Sequence, residues 1–88
     1  MSASDPFILA LTELILDATE KPAPAGGLAD DEALFGPEAR LALDSLDALQ
    51  VSMAIQQRYG VRLADSKETR RAMRDVRSLA VYLAARMS

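Results

Sequence analysis

Three segments with apolar residues at helical spacing, a long break rich in proline and glycine after the first of them, and the absence of cysteine predict an all-α domain. The expected architecture is a four-helix bundle with a long first loop and a short third helix. With 88 residues, half of them hydrophobic and 26% charged, the chain has material for one domain, residues 1–88. A chain this short buries only roughly 60–65% of the surface its unfolded form exposes. Neither disulfides nor thiolate-bound metal are available to compensate, so helix packing has to hold it together.

The first helix is expected over residues 4–19, with Ser4 and Asp5 as candidate N-caps and Pro6 at the first helical position, where its missing N–H is harmless. Phe7, Leu11, Leu14, Ile15 and Ala18 recur at spacings of three and four and form one apolar stripe. From Glu20 to Leu43 the periodicity fails, because Pro22, Pro24, Gly26 and Gly27 break any helix and an acidic cluster runs from Asp30 to Glu32. Unstructured connections of that length are uncommon in compact domains. Leu34, Phe35 and Leu41 are therefore expected to pin this one to the core, and a short helical turn fits within it.

The second helix is expected over residues 45–59 and to stop at Gly60. At 100° per residue its apolar side chains fall on two arcs: Ala48, Val51, Ile55 and Tyr59 on one, Leu46, Leu49 and Met53 nearly opposite. A four-helix domain rarely surrounds one helix, so one arc packs inward and the other meets solvent or a partner. An extended link around Val61 and Leu63 leads to a third helix of about two turns, opened by the pair Asp65 and Glu68 and ending near Met73. Asp75 caps the fourth, in which Val76, Leu79, Ala80 and Leu83 recur at helical spacing beside Tyr82. Arg86 suits the negative end of that helix's dipole.

The net charge of −3 conceals a polarity: residues 1–50 carry ten acids against two bases, residues 51–88 three acids against eight bases. Such a split marks either two different binding faces or simply solvated helix surfaces of opposite sign. The sequence contains no histidine and no cysteine, which removes the usual general base, the usual metal ligands and the strongest nucleophile. Catalysis by this chain is not expected, and no metal site is. No apolar run approaches the roughly 20 residues that cross a bilayer, and no signal-peptide pattern opens the chain, so a soluble, cytoplasmic protein without membrane insertion is expected.

One stretch stands apart. Residues 42–50 read ALDSLDALQ, with Ser45 between two leucines and an acid on either side, at the expected start of the second helix. Serine and aspartate are preferred N-caps, and Asp47 in the first turn complements the dipole. A helix N-terminus also offers unpaired N–H groups, so a phosphodiester replacing the Ser45 hydroxyl would sit where an anion is favoured.

The segment LALDSLDALQVSMAIQQRYGVRLAD, Leu41 to Asp65, resembles acyl carrier proteins, whose hallmark is a D-S-L triplet opening the second helix; Asp44, Ser45 and Leu46 fill it here. Leu41 four positions before the serine, Tyr59 and Gly60 closing the helix and Asp65 opening the third extend the match. The resemblance implies that Ser45 carries 4'-phosphopantetheine, whose thiol holds acyl groups. It further implies that Asp44 helps hold the magnesium used by a phosphopantetheinyl transferase, and that Leu46, Asp47, Leu49 and Met53 dock on partner enzymes such as ketosynthases and acyltransferases. Val51, Ile55, Tyr59, Leu63 and Met73 correspond to the family's core. A monomer is expected. The stretch LFGPEARLALDSLDAL is most similar to discrete carriers of fatty-acid-like or type II polyketide pathways, including aryl-polyene synthesis. Three features depart from the family pattern: Ala42 stands where many carriers have glycine, Gln50, Gln56, Gln57 and Arg58 dilute the acidity of the second helix, and the third helix, KETRRAM, is basic.

Other readings remain open on the residues alone. A peptidyl or aryl carrier of nonribosomal synthesis differs only in cargo. A small helical interaction module would use Ser45 as a cap and nothing more. Nucleic-acid binding through Arg62, Lys67, Arg70, Arg71, Arg74 and Arg77 is disfavoured by the net negative charge. A hydrolase built on Ser45 lacks a histidine to activate the hydroxyl.

Overall fold

A computed structural model describes residues 5–64 and 66–87, and among them four helices form, with no strand: α1 (Pro6–Thr19), α2 (Ser45–Tyr59), α3 (Lys67–Ala72) and α4 (Val76–Met87). The Asp5 carboxylate caps α1 by accepting from the amides of Phe7 and Ile8 (2.9 and 3.5 Å). Ser4, the other candidate cap, lies outside the described residues. At the far end Glu20 turns left-handed (φ 57°) and the amides of Glu20 and Lys21 return to the carbonyls of Asp17 and Leu16. This closes the helix before the prolines. The buried stripe of α1 is Ile8, Leu11, Leu14 and Ile15, rotated one residue from the expected one; Phe7 and Ala18 are only half-buried at its margin.

Helix α1 lies against both α2 and α4, and α3 docks on α4, giving a body of 33 × 28 × 20 Å. Val51 and Ile55 of α2 are buried, while Ala48 and Tyr59 of the same arc are half-buried. The Tyr59 ring meets Phe7 edge-on, 5.5 Å between centroids. Gly60 ends α2 in the left-handed conformation (φ 71°), which glycine adopts without a Cβ penalty. Met73, Val76, Leu79, Ala80 and Leu83 complete the core from the C-terminal side, with Leu63 half-buried beside them.

The third helix starts later than expected. Its N-cap is Ser66, whose Oγ accepts from the Thr69 amide (3.2 Å), and Asp65 lies outside the described residues. Glu68 points instead toward Arg86 (3.8 Å), which also stacks over the Tyr82 ring at 3.9 Å and so ties α3 to α4. Asp75 caps α4 as expected, accepting from the Ser78 amide at 2.7 Å.

The long loop carries no helical turn. It is held at two levels instead. Leu34, Leu41 and Leu43 are buried, with Phe35 half-buried; Leu43 was not among the expected anchors. Phe35 and Leu43 form an isolated bridge, the Leu43 amide donating to the Leu34 carbonyl (3.0 Å) and the Gly36 amide to the Leu43 carbonyl (3.3 Å). The Leu34 amide donates to the Arg74 carbonyl (2.9 Å), and the Arg77 amide to the Asp30 carbonyl (2.8 Å), while the Arg77 guanidinium reaches the Asp30 carboxylate (3.1 Å). The loop is thereby stitched to the start of α4. Nearer the surface, the Arg40 guanidinium grips Glu32 and the carbonyls of Ala25 and Gly27.

Ala42 adopts φ 49°, the left-handed region that favours glycine, at an exposed position three residues before Ser45. An L-residue there costs roughly 1–2 kcal/mol, whereas glycine loosens the unfolded chain by about 0.4–1 kcal/mol. Ala42→Gly is therefore expected to stabilise the fold by about 0.5–1 kcal/mol, raising the melting temperature by roughly 2–8 °C in a circular-dichroism melt. A lower melting temperature would show that the turn carries no strain.

Candidate functional site

The start of α2 is organised by two carboxylates acting on each other's backbone. Asp44 is the N-cap: its Oδ1 accepts from the Asp47 amide (3.0 Å), and Asp47 returns by accepting from the Asp44 amide (3.1 Å). This is a reciprocal capping box with aspartate at the third helical position. Ser45 therefore occupies the first helical position and is not the cap. Its side chain is exposed, and its hydroxyl makes no hydrogen bond to any described residue. Of the two preferred cap residues that stand side by side here, Asp44 is the one that caps, and α2 spans the expected residues, Ser45–Tyr59.

The Asp44 carboxyl is held below its ordinary value, first by the hydrogen bond from the Asp47 amide and further by the Leu46 amide and the nearby charge of Lys21. Glu32 is lowered likewise, chiefly by the Arg40 guanidinium and then by the Ala29 amide. Both groups bind their proton less readily when folded than when unfolded. The stability they lend is complete above the unfolded values, about 4, and is lost as pH falls through the lower folded values. Melting temperature is therefore expected to drop as pH is taken from about 5 to about 3, and Asp44→Asn combined with Glu32→Gln should flatten that part of the profile. An unchanged acid limb in the double variant would assign the loss to other carboxylates.

Two grooves meet at Ser45. One, of about 410 Å³, runs between α2 and the segment leading into α3; Ser45, Leu49, Ser52, Leu63, Thr69 and Arg70 line it. The other, of about 440 Å³, runs between the loop and the α3–α4 turn, and Phe35, Leu43, Asp44, Ser45, Met73 and Arg74 line it together with Arg70. Ser45, Ala48, Arg70 and Met73 belong to both. Beneath them, the space among Ile15, Leu34, Phe35, Leu43, Val51, Met73 and Leu79 has no room for a water molecule. The core is closed.

Leu46, Leu49 and Met53 are 62%, 56% and 50% exposed and share one face of α2 by their spacing of three and four. They do not pack under the loop. Leu49 alone of the three also lines a groove at Ser45. Asp47 is half-buried by its part in the capping box. The groove-forming residues Phe35, Leu43 and Thr69 were not anticipated as part of a site, because loop and α3 reach Ser45 only through tertiary packing. Arg70 and Arg74 were visible as part of the basic second half without their position. Of the six cations considered for nucleic acid, Arg77 is paired with Asp30 and Arg74 contacts Asp75 at 3.5 Å.

The residues present fit a phosphopantetheine group: a reachable, unbonded hydroxyl at Ser45, a helix N-terminus beside it, and grooves with apolar floors and cationic rims leading away from it. Among the described residues no three His, Cys, Asp or Glu side chains come together to hold a metal ion, and no helix is long and apolar enough to cross a membrane. Comparison with protein-family models, with curated proteins and with solved structures returned no match.

Proposed function

We propose that this protein is an acyl carrier, modified on Ser45 with 4'-phosphopantetheine and visited in turn by biosynthetic enzymes. The observation that carries the reading is the division of labour at α2: Asp44 and Asp47 cap the helix between them, which leaves the Ser45 hydroxyl with no structural task at an exposed N-terminus. A serine needed only as a cap would be bonded to the backbone.

When attached, the arm supplies a terminal thiol that holds acyl groups as thioesters. The chain's own residues do the rest. Ser45 offers its oxygen to the phosphorus of coenzyme A, the bond between the two phosphoryl groups of the donor breaks, the adenosine bisphosphate leaves, and the hydroxyl proton passes to the transferase. Asp44, charged at neutral pH beside the hydroxyl, supports the transferase's magnesium. Leu46, Leu49 and Met53 present an adaptable apolar face to ketosynthases, acyltransferases and related partners, methionine fitting several of them. The reading places the protein in the cytoplasm, among fatty-acid-like, polyketide or aryl-polyene enzymes; a peptidyl or aryl carrier shares the same chemistry with a different acid on the thiol.

The test is an intact-mass measurement after incubation with coenzyme A, magnesium and a broad-specificity phosphopantetheinyl transferase. A gain of one phosphopantetheinyl unit is expected. A folded protein that stays unmodified with several transferases would overturn the proposal.

A further inference from the structure

Leu49 of α2 and Arg70 of α3 both line the groove that runs from Ser45 between α2 and the segment entering α3. On α2, Leu49 also belongs to the exposed face it shares with Leu46 and Met53, so one bank of the groove is an apolar ridge. On α3, Lys67, Arg70 and Arg71 are exposed and fall within an arc of roughly 100° at helical spacing, while Thr69 and Ala72 are buried. Arg70 stands at the groove edge of that arc, so the other bank is cationic. Among the described residues, the side chains of Lys67 and Arg71 take part in no hydrogen bond or ion pair, and Glu68, the acid of the same helix, is turned to Arg86 at 3.8 Å. Carboxylates are scarce on this side: α2 has none after Asp47, and among the described residues lining the groove Arg70 alone is charged. The surface therefore runs from apolar ridge through groove to cationic ridge. It is complemented by a surface on which apolar side chains stand beside carboxylates. Nucleic acid fits it less well, because the net charge of −3 opposes an extended polyanion at long range and no aromatic ring lines the groove, among the described residues, for a base to stack on.

Resting on the carrier reading, we propose that the enzymes this protein serves dock on it with an acidic patch: their carboxylates meet Lys67, Arg70 and Arg71, while an apolar side chain beside them enters the groove against Leu49, Leu63 and Met73. The two ridges contribute differently. Exposed ion pairs add little affinity each, but they orient an approaching protein and reject one of the wrong sign. Burial of Leu49 supplies the hold. Selection among enzymes thus resides in α3 and adhesion in α2.

The test uses two synthetic helical peptides of equal length, each with leucines at spacings of three and four, one flanking them with glutamates and the other with lysines. Each is titrated at low salt into the isotope-labelled, unmodified protein and followed by amide NMR. The glutamate peptide is expected to bind about tenfold more tightly than the lysine peptide, with shifts centred on Leu49, Leu63, Arg70 and Arg71. Leu49→Ser should weaken both peptides, Lys67→Gln/Arg71→Gln should bring them level, and Lys67→Glu/Arg71→Glu should invert their order. Salt at 1 M should erase the preference. Equal or tighter binding of the lysine peptide, binding of neither, or shifts centred on α1 would overturn the inference. So would duplex DNA or anionic lipid vesicles held as tightly as the glutamate peptide, or a wild type that sediments as a dimer and loses this with Leu49→Ser. A protein that shows the preference and never gains mass with a transferase would keep the acidic docking surface and overturn the carrier reading.

Discussion

Ser45→Ala is expected to abolish the phosphopantetheinyl mass gain completely while leaving the melting temperature within roughly 2–4 °C of the parent protein. The two halves of that result have separate origins. Loss of modification follows from removal of the only oxygen proposed to accept the phosphoryl group. Retention of stability follows from the geometry of α2, whose N-terminal amides are served by Asp44 and not by Ser45. Asp44→Ala should do the reverse to the fold, lowering the melting temperature by roughly 4–8 °C through loss of the cap. A marked drop for Ser45→Ala would mean that the hydroxyl has a structural partner after all. A mass gain that persisted in it would move the modification to another residue.

Leu34→Ala is expected to cost about 2–5 kcal/mol, a large part of what a domain of this size has to lose. Leu34 is 1% exposed although it sits in the middle of a loop, and its backbone bonds both to Leu43 and to the Arg74 carbonyl. Removing its side chain leaves a cavity among Ile15, Phe35, Leu43 and Leu79, which share the core space below Ser45. In a thermal melt the midpoint should fall by at least about 10 °C. Leu46→Ala, at an exposed position of α2, is the comparison: its effect should stay within about 0.5 kcal/mol. If both substitutions proved equally benign, the loop would be a cover over the core and not a part of it.

These contrasts mark what residues alone convey. Helices α1, α2 and α4 were legible because Leu11, Ile15, Val51, Ile55, Val76, Leu79 and Leu83 recur at the helical period, and that period reflects burial directly. Leu34 and Leu41 stood out as large apolar residues in a polar tract. Leu43 did not, because adjacency to the helix start masked its separate role in the bridge with Phe35. Neighbouring caps were likewise indistinguishable: Asp44 beside Ser45 and Ser66 beside Asp65 have similar preferences, and only the path of the backbone decides which residue enters the helix first. Ala42 was noticed as an unusual residue, but its left-handed backbone was not. Arg70 and Arg74 counted as charge without address, since their place beside Ser45 depends on how the α3–α4 turn meets a loop far away in sequence.

That distance governs when the serine's surroundings come into being. The loop is tied by Asp30 to Arg77, 47 positions further along the chain, and Leu34 to Arg74. Closing so long a span carries an entropic cost that the later residues must first be present to offset. A chain emerging from the ribosome exposes residue 45 before α4 has emerged to anchor the segment in front of it. Its serine then hangs on an unfinished scaffold, and the surface around it is completed only once α4 has joined the fold.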